Sequence, residues 1–311
     1  MRSTIMIKRG IVLFYVITCY VVASAQQPSY VYRNPNDTVQ NFYVVRPPAG
    51  NVTGAVVLIN RGVSDSTKRA AYAKGVLLMT AVLTDDYLDF LMDNRILQRL
   101  DSMINEVTMK YKVPGNKIII GGMSAAGTAA VRFAEYCAAG KSIFKCKPVA
   151  LFAVDPPLDY ERLYNESENA MQRNYHADAV NEGKQLTAFF KAKLGGTPNN
   201  NRAAYQRVSP FSHTAKQGGN ASVLNNMHIR MYTEPDINWW IENRRKDFYD
   251  LNVLDIAAFI NQLKLLGNNN AALMATSNKG YTKDGGRHPH SWSIVDEKAL
   301  FDWCVHLFET D

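Results

Sequence analysis

One stretch constrains this chain more than any other: residues 117–132, Lys-Ile-Ile-Ile-Gly-Gly-Met-Ser-Ala-Ala-Gly-Thr-Ala-Ala-Val-Arg. An isoleucine-rich run of strand character ends at Gly121 and Gly122, Ser124 follows two residues later, and small residues then open a helical stretch. A buried strand that turns directly into a helix leaves little room at the corner, so small side chains are needed where helix and strand meet. The turn leaves Ser124 standing at that corner. A phosphate-binding loop would instead end in Gly-Lys-Ser/Thr or carry several spaced glycines, and neither pattern is present.

The chain has 311 residues. Arg2, Lys8 and Arg9 flank the start of a mostly apolar stretch from Ile11 to Val22, and Ala23-Ser24-Ala25 has the small-residue form of a cleavage site. Residues 1–25 therefore read as an export signal, with Gln26 as the mature start. The apolar stretch is shorter than the roughly 20 residues that span a bilayer. Thr18 before Cys19 is a poor residue for lipoprotein cleavage, so a freed protein, secreted or periplasmic, is expected. Losing the signal lowers the formal charge of +7 by three. What remains does not call for nucleic acid or an anionic membrane as a partner, and no other segment approaches membrane-spanning length.

Past the signal, residues 38–46 alternate like a half-buried strand, and 54–60 and 75–80 are short continuous apolar runs, as expected of strands covered on both faces. Residues 86–111 carry Leu91, Ile96, Leu100, Ile104 and Val107 at helical spacing. A helix is expected from Ser124 to about Cys137, stopped at Gly140, and a buried strand over 148–154. This rhythm predicts an α/β fold with a parallel sheet covered by helices. It lapses over residues 156–227, which are more polar and marked by Gly195-Gly196-Thr197-Pro198, Asn199-Asn200-Asn201 and Gly218-Gly219. So long a segment reads as an inserted cap, with a helix over 182–193. Regularity resumes with a strand at 228–232, a helix at 253–266, a strand at 271–276 and a closing helix over about 294–308. Residues 26–311 thus read as one domain with a cap insertion.

Three cysteines lie outside the signal. Cys137 and Cys146 flank Gly140 and can pair in an oxidising compartment, two buried free thiols being the alternative. Cys304 reads as core. A serine hydroxyl is a weak nucleophile and needs a general base, itself held by a third group. His290 and His288 both lie between the last strand and the closing helix, and the proline between them lets only one face the serine. For the acid, Thr233-Glu234-Pro235-Asp236 follows the strand at 228–232. Asp236 fits best, because the chain needs a few residues to bend toward the histidine; Glu234 and Asp155 are the alternatives. Neither histidine has a Cys or carboxylate at metal-ligand spacing, so no metal is expected. Trp239, Trp240 and Trp292 lie beside the acid and base and read as pocket wall or core.

Gly122-Met-Ser124-Ala-Ala126, with His290-Ser-Trp before the last helix, resembles the nucleophile elbow and histidine loop of the α/β-hydrolase superfamily, of the secreted esterase or lipase kind. Ala126 departs from the strict glycine form, and no His-Gly pair follows Asn60. The resemblance spans about residues 38–309. It implies a mainly parallel, twisted sheet of about eight strands with helices on both faces, acyl-enzyme chemistry on a small ester, and no cofactor. It implies Ser124 as nucleophile, His290 as base and Asp236 as acid, with the oxyanion held by the amides of Ala125 and Gly62.

Overall fold

The computed structural model describes residues 27–310; the export signal expected over residues 1–25 lies outside them. Eight strands form one sheet: β1 (Ser29–Tyr32), β2 (Phe42–Arg46), β3 (Gly54–Ile59), β4 (Val76–Val82), β5 (Ile118–Met123), β6 (Ala150–Val154), β7 (His228–Thr233) and β8 (Ala271–Ala275). Their spatial order is β1-β2-β4-β3-β5-β6-β7-β8. β1 and β2 run antiparallel, as do β2 and β4, and every pair from β4 to β8 is parallel. The expected α/β class and mainly parallel sheet are what the chain forms.

The continuous apolar strands follow from burial on both faces. Along β3, Val57 and Ile59 enter one core cluster while Val56 and Leu58 enter the other. Along β5, Ile118 and Ile120 face the first cluster and Ile119 the second. Period-two alternation therefore divides one apolar run between two cores. The second cluster is closed by the helix α10 (Glu297–Thr310) and by Ala71 of α1 (Asp65–Ala73). The first contains residues of α2 (Tyr87–Met92), α3 (Asn94–Tyr111), α4 (Ser124–Ala138) and α9 (Asn252–Leu265).

One sequence expectation is corrected and a second, the helix over 182–193, is met by α6 (Ala177–Leu194) and extended. The single helix expected over 86–111 is two, α2 and α3, because Asp93 adopts an extended conformation and its carboxylate accepts the Arg95 N–H to start a new helix. Its apolar stripe is nonetheless buried throughout, from Leu91 to Val107. The long segment between β6 and β7 holds more helix than its polar composition indicates: α5 (Tyr160–Arg173), α6 (Ala177–Leu194), α7 (Pro198–Val208) and a 3-10 stretch (Lys216–Leu224). Tyr160, Tyr164, Phe190 and Tyr205 of these helices join the first core cluster, so the segment is packed into that core. A buried bidentate pair fastens it. Arg162 donates to Asp255 of α9 at 2.9 and 2.7 Å, and Asp255 also accepts the Leu158 and Asp159 amides. Burial raises the Asp255 carboxyl, but the guanidinium outweighs it and the group sits below its ordinary range.

Candidate active site

The corner at the end of β5 is as tight as its small residues predict. Ser124 has φ +53°, a left-handed conformation that L-residues seldom adopt outside strained sites. A Cβ on Gly122 would stand 2.4 Å from the Ala126 carbonyl oxygen, so only glycine fits there. A Cβ on Gly127 would come within 3.1 Å of the Gly122 carbonyl oxygen and 3.4 Å of the Ala153 side chain of β6, so the helix packs tightly there too. α4 starts at Ser124 with no side-chain cap. Its first-turn amides, among them Ala125 N–H, are therefore free of intrahelical partners.

Two other loops meet the serine. His290 Nε2 lies 2.9 Å from Ser124 Oγ, and His290 Nδ1 lies 2.6 Å from Asp155 Oδ2. An ionised carboxylate only accepts hydrogen bonds, so Nδ1 carries the proton and the Nε2 lone pair faces the hydroxyl. Asp155 follows β6 directly and has φ +48°. It is buried and held from all sides. Its N–H donates to the Tyr232 carbonyl, its carbonyl accepts from Asn252, and Oδ1 accepts the Thr233 hydroxyl at 2.8 Å.

The carboxylate beside the histidine is thus Asp155, and the expectation of Asp236 is corrected. Asp236 caps α8 (Ile237–Arg244) by accepting the Trp239 N–H at 3.0 Å, and its other oxygen accepts from Arg287. Those two contacts, the capping amide first, hold its carboxyl below the ordinary range. Glu234 is buried and also engaged, accepting from Arg287, from Thr276 and from the Lys279 amide. Both acids past β7 brace the histidine loop. The sequence pattern offered all three acids, and what separates them is which bends toward the imidazole.

His288, the other histidine of the loop, accepts the His290 N–H at its Nδ1 and lies edge-on to Trp239 and Trp240, with ring centroids 4.8 and 5.5 Å away. Burial, then the neighbouring His290 and Arg244 charges, pushes it down to about 4, so it is neutral near pH 7. Trp292 is core: its indole N–H donates to Glu297 at 2.6 Å and Arg61 stacks on its ring. Trp240 lines the cavity at the serine.

That cavity measures about 320 Å³. Ser124, Ala125, Asp155 and His290 line it, with Leu91, Leu163, Leu186 and Val253 as apolar wall and Glu182 among its charged residues. Its size and mixed lining suit a small organic substrate. Ala125, the residue after the serine, lines the cavity beside it. Gly62 is not brought to it: it is exposed on the loop after β3 and lines neither cavity at Ser124. Instead Tyr87 and Leu91 of α2, which sequence reasoning missed because they look like ordinary helix residues, reach the cavity. Among the described residues no group of three or more His, Cys, Asp or Glu is arranged to hold a metal ion, and no helix is long and apolar enough to cross a membrane.

No family model and no curated protein matches the chain. Solved structures do. Carboxyl esterase 2 from Tuber melanosporum is similar with a TM-score of 0.55 and 12% identity, over 95% of this chain and 89% of its own. Esterase B from Lactobacillus rhamnosis, solved with a tributyrin phosphonate, matches with a TM-score of 0.52 and 12% identity, over 90% of this chain and 86% of its own. The Pyrococcus horikoshii acylaminoacyl peptidase matches with a TM-score of 0.52 and 13% identity over 86% of this chain. This chain spans only 39% of that peptidase's length. The fold is that of the α/β-hydrolases, common to esterases and peptidases alike, and it leaves the reaction to be argued from the site.

Proposed function

We propose that the protein is a serine hydrolase that cleaves carboxylic esters through an acyl-enzyme. One observation carries the reading: the unbroken pair of hydrogen bonds from Ser124 Oγ through His290 to Asp155 beside an open cavity. In the proposed cycle Ser124 Oγ attacks the acyl carbon as His290 Nε2 takes its proton. Asp155 holds the Nδ1 tautomer and stabilises the imidazolium. The developing oxyanion is met by the Ala125 amide, worth about 3 kcal/mol for one well-placed donor. His290 then protonates the leaving alcohol and later activates the water that frees Ser124.

Esters are favoured over peptides because the similar esterases are matched over most of their length, the peptidase over less than half. The reading includes export to a secreted or periplasmic location, which rests on residues 1–25. A fluorophosphonate probe tests the chemistry: labelling of the wild type and none of Ser124→Ala is expected. An unlabelled, well-folded wild type would make the protein a binder on a hydrolase scaffold. Faster turnover of peptide anilides than of p-nitrophenyl esters would make it a peptidase.

A further inference from the structure

α4 carries Ser124 at its start and Cys137 in its last turn. Beyond the helix the chain passes Gly140, in a left-handed conformation, and doubles back toward β6. The returning segment is pinned to α3. Ser142 Oγ donates to Asp101 at 2.7 Å and the Ile143 N–H to the same carboxylate at 2.8 Å, while the Cys146 N–H donates to Ser142 Oγ at 2.8 Å. Asp101 is fully buried, so this anchor is built into the core. Its consequence is that Cys146 is delivered to the Cys137 end of α4: both are buried in the same apolar cluster, close enough for the Cys146 thiol to act on that of Cys137.

We propose that Cys137 and Cys146 are a redox pair that closes into a disulfide in an oxidising environment. Both are free thiols in the structure as it stands. Closure breaks two S–H bonds and forms one S–S bond. The two protons and the electron pair pass to a small disulfide such as oxidised glutathione, which is cleaved to two thiols. Cys304 is the internal control. It lies in the core on the opposite face of the sheet and is free, so it stays unpaired. Zinc is a poorer occupant, since no third His, Cys, Asp or Glu joins the pair among the described residues. The neighbouring Cys146 thiol, then burial, pushes the Cys137 thiol up, and the thiolate is the attacking species. Bridging therefore occurs during folding or through opening of the loop at residues 139–149, and is slow in the folded protein. The bridge would tie the end of the nucleophile-bearing helix to the segment leading into the Asp155-bearing strand, and constrain the unfolded chain.

The test is peptide mapping of the full chain refolded in a glutathione redox buffer, blocked with N-ethylmaleimide and cut with trypsin without reduction. Lys141 and Lys145 lie between the two cysteines, so trypsin separates them unless they are bonded. The expected product joins the peptide from Phe133 to Lys141 with one that begins at Cys146, about 2 Da lighter than the two reduced peptides together, with Cys304 alkylated. The bridged form is expected to melt at a higher temperature than its dithiothreitol-reduced form, and the difference to vanish in Cys146→Ala. Full alkylation of both cysteines, their capture by glutathione or Cys304, or a bridged form no more stable than the reduced one would overturn the proposal. Labelling of Ser124 plays no part in these readouts, so this proposal and the hydrolase reading can fail separately.

Discussion

Asp155 and Asp236 are the same residue type in similar positions, each a short step past a parallel strand, and they differ in what the fold asks of them. Asp155 is turned by a left-handed backbone toward His290 and held there by Thr233. Asp236 faces the other way, into a helix cap and Arg287. Removing the charge at Asp155 while keeping its shape lets the imidazole adopt the wrong tautomer. Asp155→Asn is accordingly expected to lower kcat on a p-nitrophenyl ester by on the order of 10³–10⁴-fold. Asn caps a helix as well as Asp does, so Asp236→Asn is expected to cost only a few-fold. Steady-state kinetics of the two variants side by side decide the matter: equal losses, or a larger loss at Asp236, would remove Asp155 from the proposed role.

The loop at residues 276–291 has little regular structure of its own, and a histidine that must hold its place needs an external brace. Arg287 supplies it by donating to Glu234 at 3.1 Å and to Asp236, so one guanidinium clasps the histidine loop to the end of β7 and the start of α8. Glu234 is buried, and Arg287 is its ion-pair partner. Arg287→Ala leaves the carboxylate stranded. Breaking a buried pair costs about 3–5 kcal/mol, and a value near the lower end is expected here because Arg287 keeps some solvent contact. Arg287→Lys should recover little, since a point charge cannot bond both acids in the fork geometry. Urea midpoints report the stability loss, and kcat is expected to fall with it as His290 loses its fixed position. Unchanged midpoints for Arg287→Ala would show that the clasp contributes nothing.

At the scale of the whole molecule, the sheet was legible because its strands are buried on both faces and so read as unbroken apolar runs; Val56 to Ile59 and Ile118 to Ile120 are the plainest cases. Ser124 and His290 were legible because each sits in a local pattern. The acid was not, because Asp155, Glu234 and Asp236 differ only in long-range partners that spacing along the chain does not encode. The helices α5 and α7 were hidden by polar composition, since packing into the core, and not propensity, stabilises them. Stability against pH is likewise a property of the assembled molecule. His288 is held down to about 4 in its tryptophan setting, below its ordinary 6.5, so between those values the unfolded chain binds the proton and the folded one does not. Its contribution is complete above about pH 6.5 and is lost as pH falls toward 4. His213 runs the other way: the hydrogen bond to Asp255, against burial, raises it, so its contribution is complete below about pH 6.5 and lost as pH rises through its folded value. Asp236 and Asp255, both held below the ordinary carboxylate range, add to the loss on the acid side only near pH 4 and lower. Glu135, Asp159 and Glu182, whose carboxyls burial raises, work in the opposite sense as pH falls, so His288 is isolated by comparison: His288→Gln, which keeps an acceptor for the His290 amide, is expected to lose less melting temperature between pH 6.5 and pH 5 than the wild type does. A variant that loses melting temperature as steeply as the wild type across this interval would show that His288 takes up its proton in the folded protein as readily as in the unfolded chain.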